Sequence, residues 1–145
     1  MTTIVTLDIK LSGWTGANSW SGRVEVPEDT TLSELHYTIQ QLVDFDDDHL
    51  HEFFAGRNRR DRNVTFGNSA SPLDLNEGEE APLSSVFPLP KGHKLYYHFD
   101  FGDDWLFEIT CRPDAKQVDR KAKYPRLVQE KGRRPKQYDD EDDEG

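Results

Sequence analysis

Histidines and aspartates carry most of the chemical potential of this chain. His49 and His51 stand two residues apart, so an extended backbone points both to one side. Asp46 or Asp48, just upstream, could join them around a divalent ion, and such oxygen and nitrogen donors suit zinc or manganese. An ion held with help from His51 and Asp103 could activate water, which makes a small metal-dependent phosphoester hydrolase the enzyme reading. The same two residues could instead act as an acid/base dyad if the fold brought them into hydrogen-bond reach. A second constellation is a polar binding groove formed by His36, His51, Asp100, Asp103 and Trp105, with Arg126 as an added cation. Basic residues cluster as well. Arg57, Arg59, Arg60 and Arg62 make a compact loop whose guanidinium forks could grip phosphate, and Tyr124 could stack on an exposed base.

Each of these patterns has a plainer structural explanation. No HExxH or paired CxxC spacing accompanies the histidines, so a metal site is the exception and no cofactor is firmly implied. His36 falls beside an apolar helical stripe, where a hydrogen-bonded histidine at a packing interface is the commoner outcome. The Asp100–Asp104 run reads as a turn between strands. Gly102 admits a positive backbone angle there, and Asp100 can accept amide hydrogen bonds. Its Asp-Phe-Gly triplet is also a kinase feature, but the glycine loop, strand lysine and His-Arg-Asp loop of kinases are missing. The arginines read first as salt-bridged surface, then as a contact for a protein partner or, more weakly, nucleic acid.

These residues need elements to hold them. Val5, Leu7, Ile9 and Leu11 alternate with polar neighbours, the pattern of a strand with one buried side. Trp20, Val24 and Val26 repeat it over 20–26, predicting an N-terminal antiparallel hairpin. Thr31 and Glu34 have capping-box spacing, and Leu32, Leu35, Ile39 and Leu42 trace a helical stripe that ends near Val43. The acids at 44–48 should face solvent, because close carboxylates repel one another. "HLHEFFAG" begins another strand and "NVTF" a short one, with 67–82 an exposed loop. The clearest long-range pair is "HKLYYHF" with "WLFEITC", joined through "DFGDD". The expectation is an α+β fold: a compact mixed or antiparallel sheet of three or four strands covered by one main helix.

With 145 residues and 16.8 kDa, the chain suits a single domain over 1–138 followed by an acidic flexible tail at 139–145. Cys111 is its only cysteine, which excludes an internal disulfide framework and points to a reducing, cytoplasmic setting. The start lacks a positive leader with an apolar run, and no segment approaches the roughly 20 apolar residues of a membrane span. The net charge of −10 disfavours a generic phosphate binder, but it is unevenly spread. Residues 1–111 hold 8 basic and 19 acidic side chains, residues 112–138 hold 10 basic and 3 acidic, and "DDEDDE" follows. That tail reads as a solvated terminus, with folding back over its basic neighbour or contact with a cationic partner as the alternatives.

The run "YYHFDFGDDWLFEI" resembles the tyrosine–aspartate–phenylalanine–glycine–aspartate strand-turn motif of the plasmid pRiA4b ORF-3-like family, mobile-element passenger or TnpR-like proteins. "TLSELHYTIQQLVDFDDDHLHEF" resembles that family's helix and its histidine-containing strand, Trp20 with Arg23 its early tryptophan–arginine region, and "YPRLVQEKG" its Tyr-Pro segment. The resemblance spans roughly residues 4–135 and implies a compact, grasp-like α+β fold without a defined activity. The leading expectation is therefore an intracellular interaction or accessory domain with a polar groove beside the Asp100–Trp105 turn. The hydrolase and a nucleic-acid-associated accessory protein are its rivals.

Overall fold

The computed structural model describes residues 3–11, 20–47, 50–61, 64–66, 80–99 and 105–132. Strand β1 (Thr3–Leu11) buries Leu7, Ile9 and Leu11 on one face and turns Asp8 and Lys10 to the other. It pairs antiparallel with β2 (Trp20–Pro27) in the register Leu7↔Val24, which completes the expected hairpin. Helix α1 (Leu32–Val43) follows, then β3 (His51–Gly56), β4 (Val64–Phe66), the single turn α2 (Leu83–Val86), β5 (Lys94–Phe99), β6 (Trp105–Gln117) and β7 (Arg126–Gly132). The sheet order is β4-β3-β5-β6-β1-β2-β7, and every neighbouring pair is antiparallel.

The two aromatic strands meet as their sequence implied, with Leu95 opposite Ile109 and Phe99 opposite Trp105. The sheet is nevertheless larger than the three or four strands expected. β6 continues to Gln117 because a bulge between Leu7 and Val5 absorbs Pro113, which cannot donate to a regular ladder. β7 was invisible to hydrophobic patterning, since only Leu127 and Val128 are apolar in "RLVQEKG". As an edge strand it is held by the backbone of β2, in a register from Trp20↔Gly132 to Glu25↔Arg126.

Helix α1 starts in a full capping box. The Thr31 hydroxyl accepts from the Glu34 amide at 3.1 Å, and the Glu34 carboxylate accepts from the Thr31 amide at 3.0 Å. Leu32, Leu35, Ile39 and Val43 then lie against Trp20, Phe53, Tyr97, Phe99 and Phe107 in one continuous core. Burying each such large side chain is worth roughly 1.5–3 kcal/mol. Residues 81–84 brace the start of the helix, Leu32 N donating to Ala81 O and Leu83 N to Thr30 O. The opposite face of the sheet has a small apolar cluster, Phe54, Tyr96 and Leu106, and carries polar side chains such as Asp8, Lys10, Lys94 and Glu108. The architecture is an open antiparallel sheet packed against one main helix, an α+β grasp-like fold. Among the described residues no helix is long and apolar enough to cross a membrane.

Candidate functional site

The helical repeat places His36 and Gln40 one turn apart on the buried side of α1, facing Tyr97 of β5. Asp44 ends the helix in the left-handed region (φ 60°), its amide donating to Gln40 O and Gln41 O. Asp47 is left-handed as well (φ 54°), so the chain turns back across the helix end over the buried ring of Phe45. This brings Asp47 into a closed polar circuit. Gln40 Nε2 donates to Tyr97 Oη at 2.9 Å, and Asp47 N donates to Gln40 Oε1 at 2.8 Å. His36 joins both ends, with Nδ1 against Tyr97 Oη and Nε2 at 2.8 Å from Asp47 Oδ1.

Asp47 Oδ1 can only accept, so His36 carries hydrogen on Nε2, and in the neutral ring Nδ1 accepts from the Tyr97 hydroxyl. His36 is only 3% exposed, and pairing at both nitrogens offsets the cost of burying its polar atoms. Its ring also stacks on His51, with centroids 3.7 Å apart and planes 10° apart. Beyond it the rings of Phe45, Phe99 and Trp105 continue the wall, Phe45 lying 5.7 Å from Phe99 and 5.1 Å from Trp105. His51, Trp105 and the Asp47 carboxylate are partly exposed, and Tyr37 stands edge-on to His36 with 54% of its surface free.

The candidates from sequence therefore fall into three groups. His36 and His51 are in ring contact, and Trp105 closes the same aromatic wall. Arg126 lies elsewhere, on β7 at the far edge of the sheet, with Nη1 4.0 Å from Glu25 Oε1. Asp48, His49, Asp100, Gly102 and Asp103 are outside the described residues, and with them the His51–Asp103 dyad and the His49-based metal set. Among the described residues no group of three or more His, Cys, Asp or Glu is placed to hold a metal ion. Asp44, Asp46 and Asp47 of the acidic loop are exposed, as expected, and Asp47 in addition pairs Oδ1 with His36 and its amide with Gln40. The basic loop is shaped by acceptors of its own, Asp61 Oδ2 taking the Arg57 amide and Asn58 Oδ1 the Arg60 amide.

A model of the plasmid pRiA4b ORF-3-like protein family matches residues 3–141. This chain belongs to that family. Among solved structures, the protein of unknown function MM3350 from Methanosarcina mazei Go1 is similar at a TM-score of 0.70 and 27% identity, over 90% of this chain and 70% of that one. No curated protein matches the chain. In this pRiA4b ORF-3-like domain the residues that sequence reasoning missed are Gln40, Phe45, Asp47 and Tyr97. Gln40 had a readable signal, a polar residue four positions after His36 on an apolar stripe. Asp47 had none, because a positive φ at a non-glycine residue is set by the surroundings.

Proposed function

We propose that this domain is a binding module for a protein partner, acting without catalysis through the surface that His51, Trp105, Tyr37 and the Asp47 carboxylate present over the buried circuit. The observation that carries this reading is the His36–Tyr97–Gln40–Asp47 ring of hydrogen bonds with His51 stacked upon it. A buried polar network of this kind holds the partly exposed rings in one arrangement, and a preorganised surface loses less entropy on binding. The groove extends in this reading toward the Asp100–Trp105 segment, which follows directly from Phe99 on β5. The hydrolase reading has less support, because it needs Asp103 beside His51 and Asp103 lies outside the described residues. A cytoplasmic setting suits a chain whose one cysteine, Cys111, is free.

Native mass spectrometry of protein purified from its own cells tests the proposal. The expected result is a stoichiometric protein partner that survives chelation and is lost in Trp105→Ala and His51→Ala variants whose amide NMR spectra show the fold intact. Equal retention by those variants would sink the reading, and a tightly held metal in place of a partner would favour the hydrolase.

A further inference from the structure

The face of the sheet turned away from α1 carries a different chemistry. A shallow trough of about 350 Å³ crosses β7, β2, β1, β6 and β5, framed by Lys10, Arg23, Lys94 and Lys131 against only Asp8 and Glu108. Both acids are already paired. Asp8 accepts from Arg23 Nε at 2.8 Å and Arg112 Nη1 at 3.3 Å, and Glu108 accepts from Lys94 Nζ at 3.0 Å. The Lys94 side chain is also twice as exposed as its partner, 42% against 21%. Beside the trough the pattern recurs, with the Glu25 carboxylate beneath Lys116 at 2.7 Å and Arg126 at 4.0 Å. Carboxylates thus hold cations in place along this face, while Lys10 and Lys131 add charge beyond those pairs. Pinned cations are preorganised for an anionic ligand.

The ligand class follows from what else the face offers. Phe54 and Tyr96 on this side are buried, so among the described residues lining the trough the cations come without a platform for stacking bases. That favours an acidic peptide over single-stranded nucleic acid. The chain carries one of its own: six acids occupy 139–144. Gly132 closes β7 directly after Lys131, one of the framing cations. Seven residue steps separate Gly132 from Asp139, which allows Asp139 to lie up to about 24 Å away. Four strand spacings from β7 to β5 come to about 19 Å, so the run can lie across the trough. We infer that this open face is a receptor for an acidic peptide run, occupied by residues 139–144 of the same chain.

The test compares the full chain with the D139N, D140N, E141Q, D142N, D143N and E144Q combined variant by amide NMR. At about 20 mM salt, neutralisation should shift the amides of Lys10, Arg23, Lys94 and Lys131, and at about 0.5 M salt the two spectra should converge. A synthetic peptide of residues 136–145 should reverse those shifts when added to the neutralised variant. Lys10→Gln with Lys131→Gln should weaken that peptide roughly tenfold. A fluorescent single-stranded oligothymidine should bind the native chain more weakly than the neutralised one. Identical low-salt spectra on this face would overturn the inference, and so would equal oligothymidine affinity for the two proteins.

Discussion

At the scale of single residues, the circuit around His36 turns on one hydroxyl. Tyr97 both accepts from Gln40 and donates to His36, so Tyr97→Phe removes two buried hydrogen bonds while leaving the ring in place. The expected cost is about 1–3 kcal/mol, read as a lower urea midpoint. Nitrogen NMR should find the His36 proton on Nε2, and a proton on Nδ1 instead would contradict the circuit. A second residue-scale prediction concerns alkaline pH. Burial raises the Tyr96 hydroxyl above its ordinary 10.0, with the Glu108 charge adding to the effect. The hydrogen bond from Lys94 to Glu108 likewise raises the Lys94 ammonium above 10.5. For both groups the folded protein keeps a proton that the unfolded chain releases first. Their stabilisation is therefore full below pH 10 and is lost as the pH rises through the two raised values. Urea melts carried from neutral pH to about 12 should show this decline, and Tyr96→Phe should flatten part of it. His36 was legible in the sequence as a helix-interface residue; its partners Asp47 and Tyr97 were not, because their approach spans 11 and 61 positions of chain.

At the scale of elements, local signals were read well wherever an element is amphipathic. The α1 boundary, its capping box and its buried stripe all follow from "TLSELHYTIQQLV". Thr31→Ala should cost about 1 kcal/mol, measured by denaturant titration. Gly56 makes a stricter demand, since a Cβ there would lie 1.8 Å from Asp61 O, the backbone oxygen across the turn after β3. Gly56→Ala should therefore destabilise by more than about 2 kcal/mol and disturb the β3–β4 pairing, visible in the amide spectrum of Val64–Phe66. Elements without an apolar stripe escaped the sequence reading. β7 buries little, and its existence rests on hydrogen bonds that β2 supplies. The C-terminal half of β6 was hidden for a related reason, as Pro113 looks like a terminator until a bulge makes room for it.

At the scale of the whole molecule, β1 and β6 sit inside the order β4-β3-β5-β6-β1-β2-β7, while β4 and β7 are the edges. Hydrogen exchange should rank accordingly, with β1 and β6 amides slowest and β7 amides exchanging by local opening well below the global unfolding energy. Uniform protection across all strands would mean that β7 is covered on its outer side. Charge is partitioned at this scale too. A net −10 chain presents a cation-framed trough on one face and a histidine–aromatic wall at the end of the other. By itself the sequence determined the α+β class, the hairpin, the helix with its cap and the aromatic strand pair, because period-two and helical repeats are properties of neighbouring residues. Packing of distant segments, by contrast, sets that the seven strands of the described residues join one sheet, that His36 meets Tyr97, Asp47 and His51, and that Arg126 lies at the far edge from them. Those arrangements depend on strand order and on left-handed turns at Asp44 and Asp47, which form only when distant segments pack and satisfy each other's polar groups.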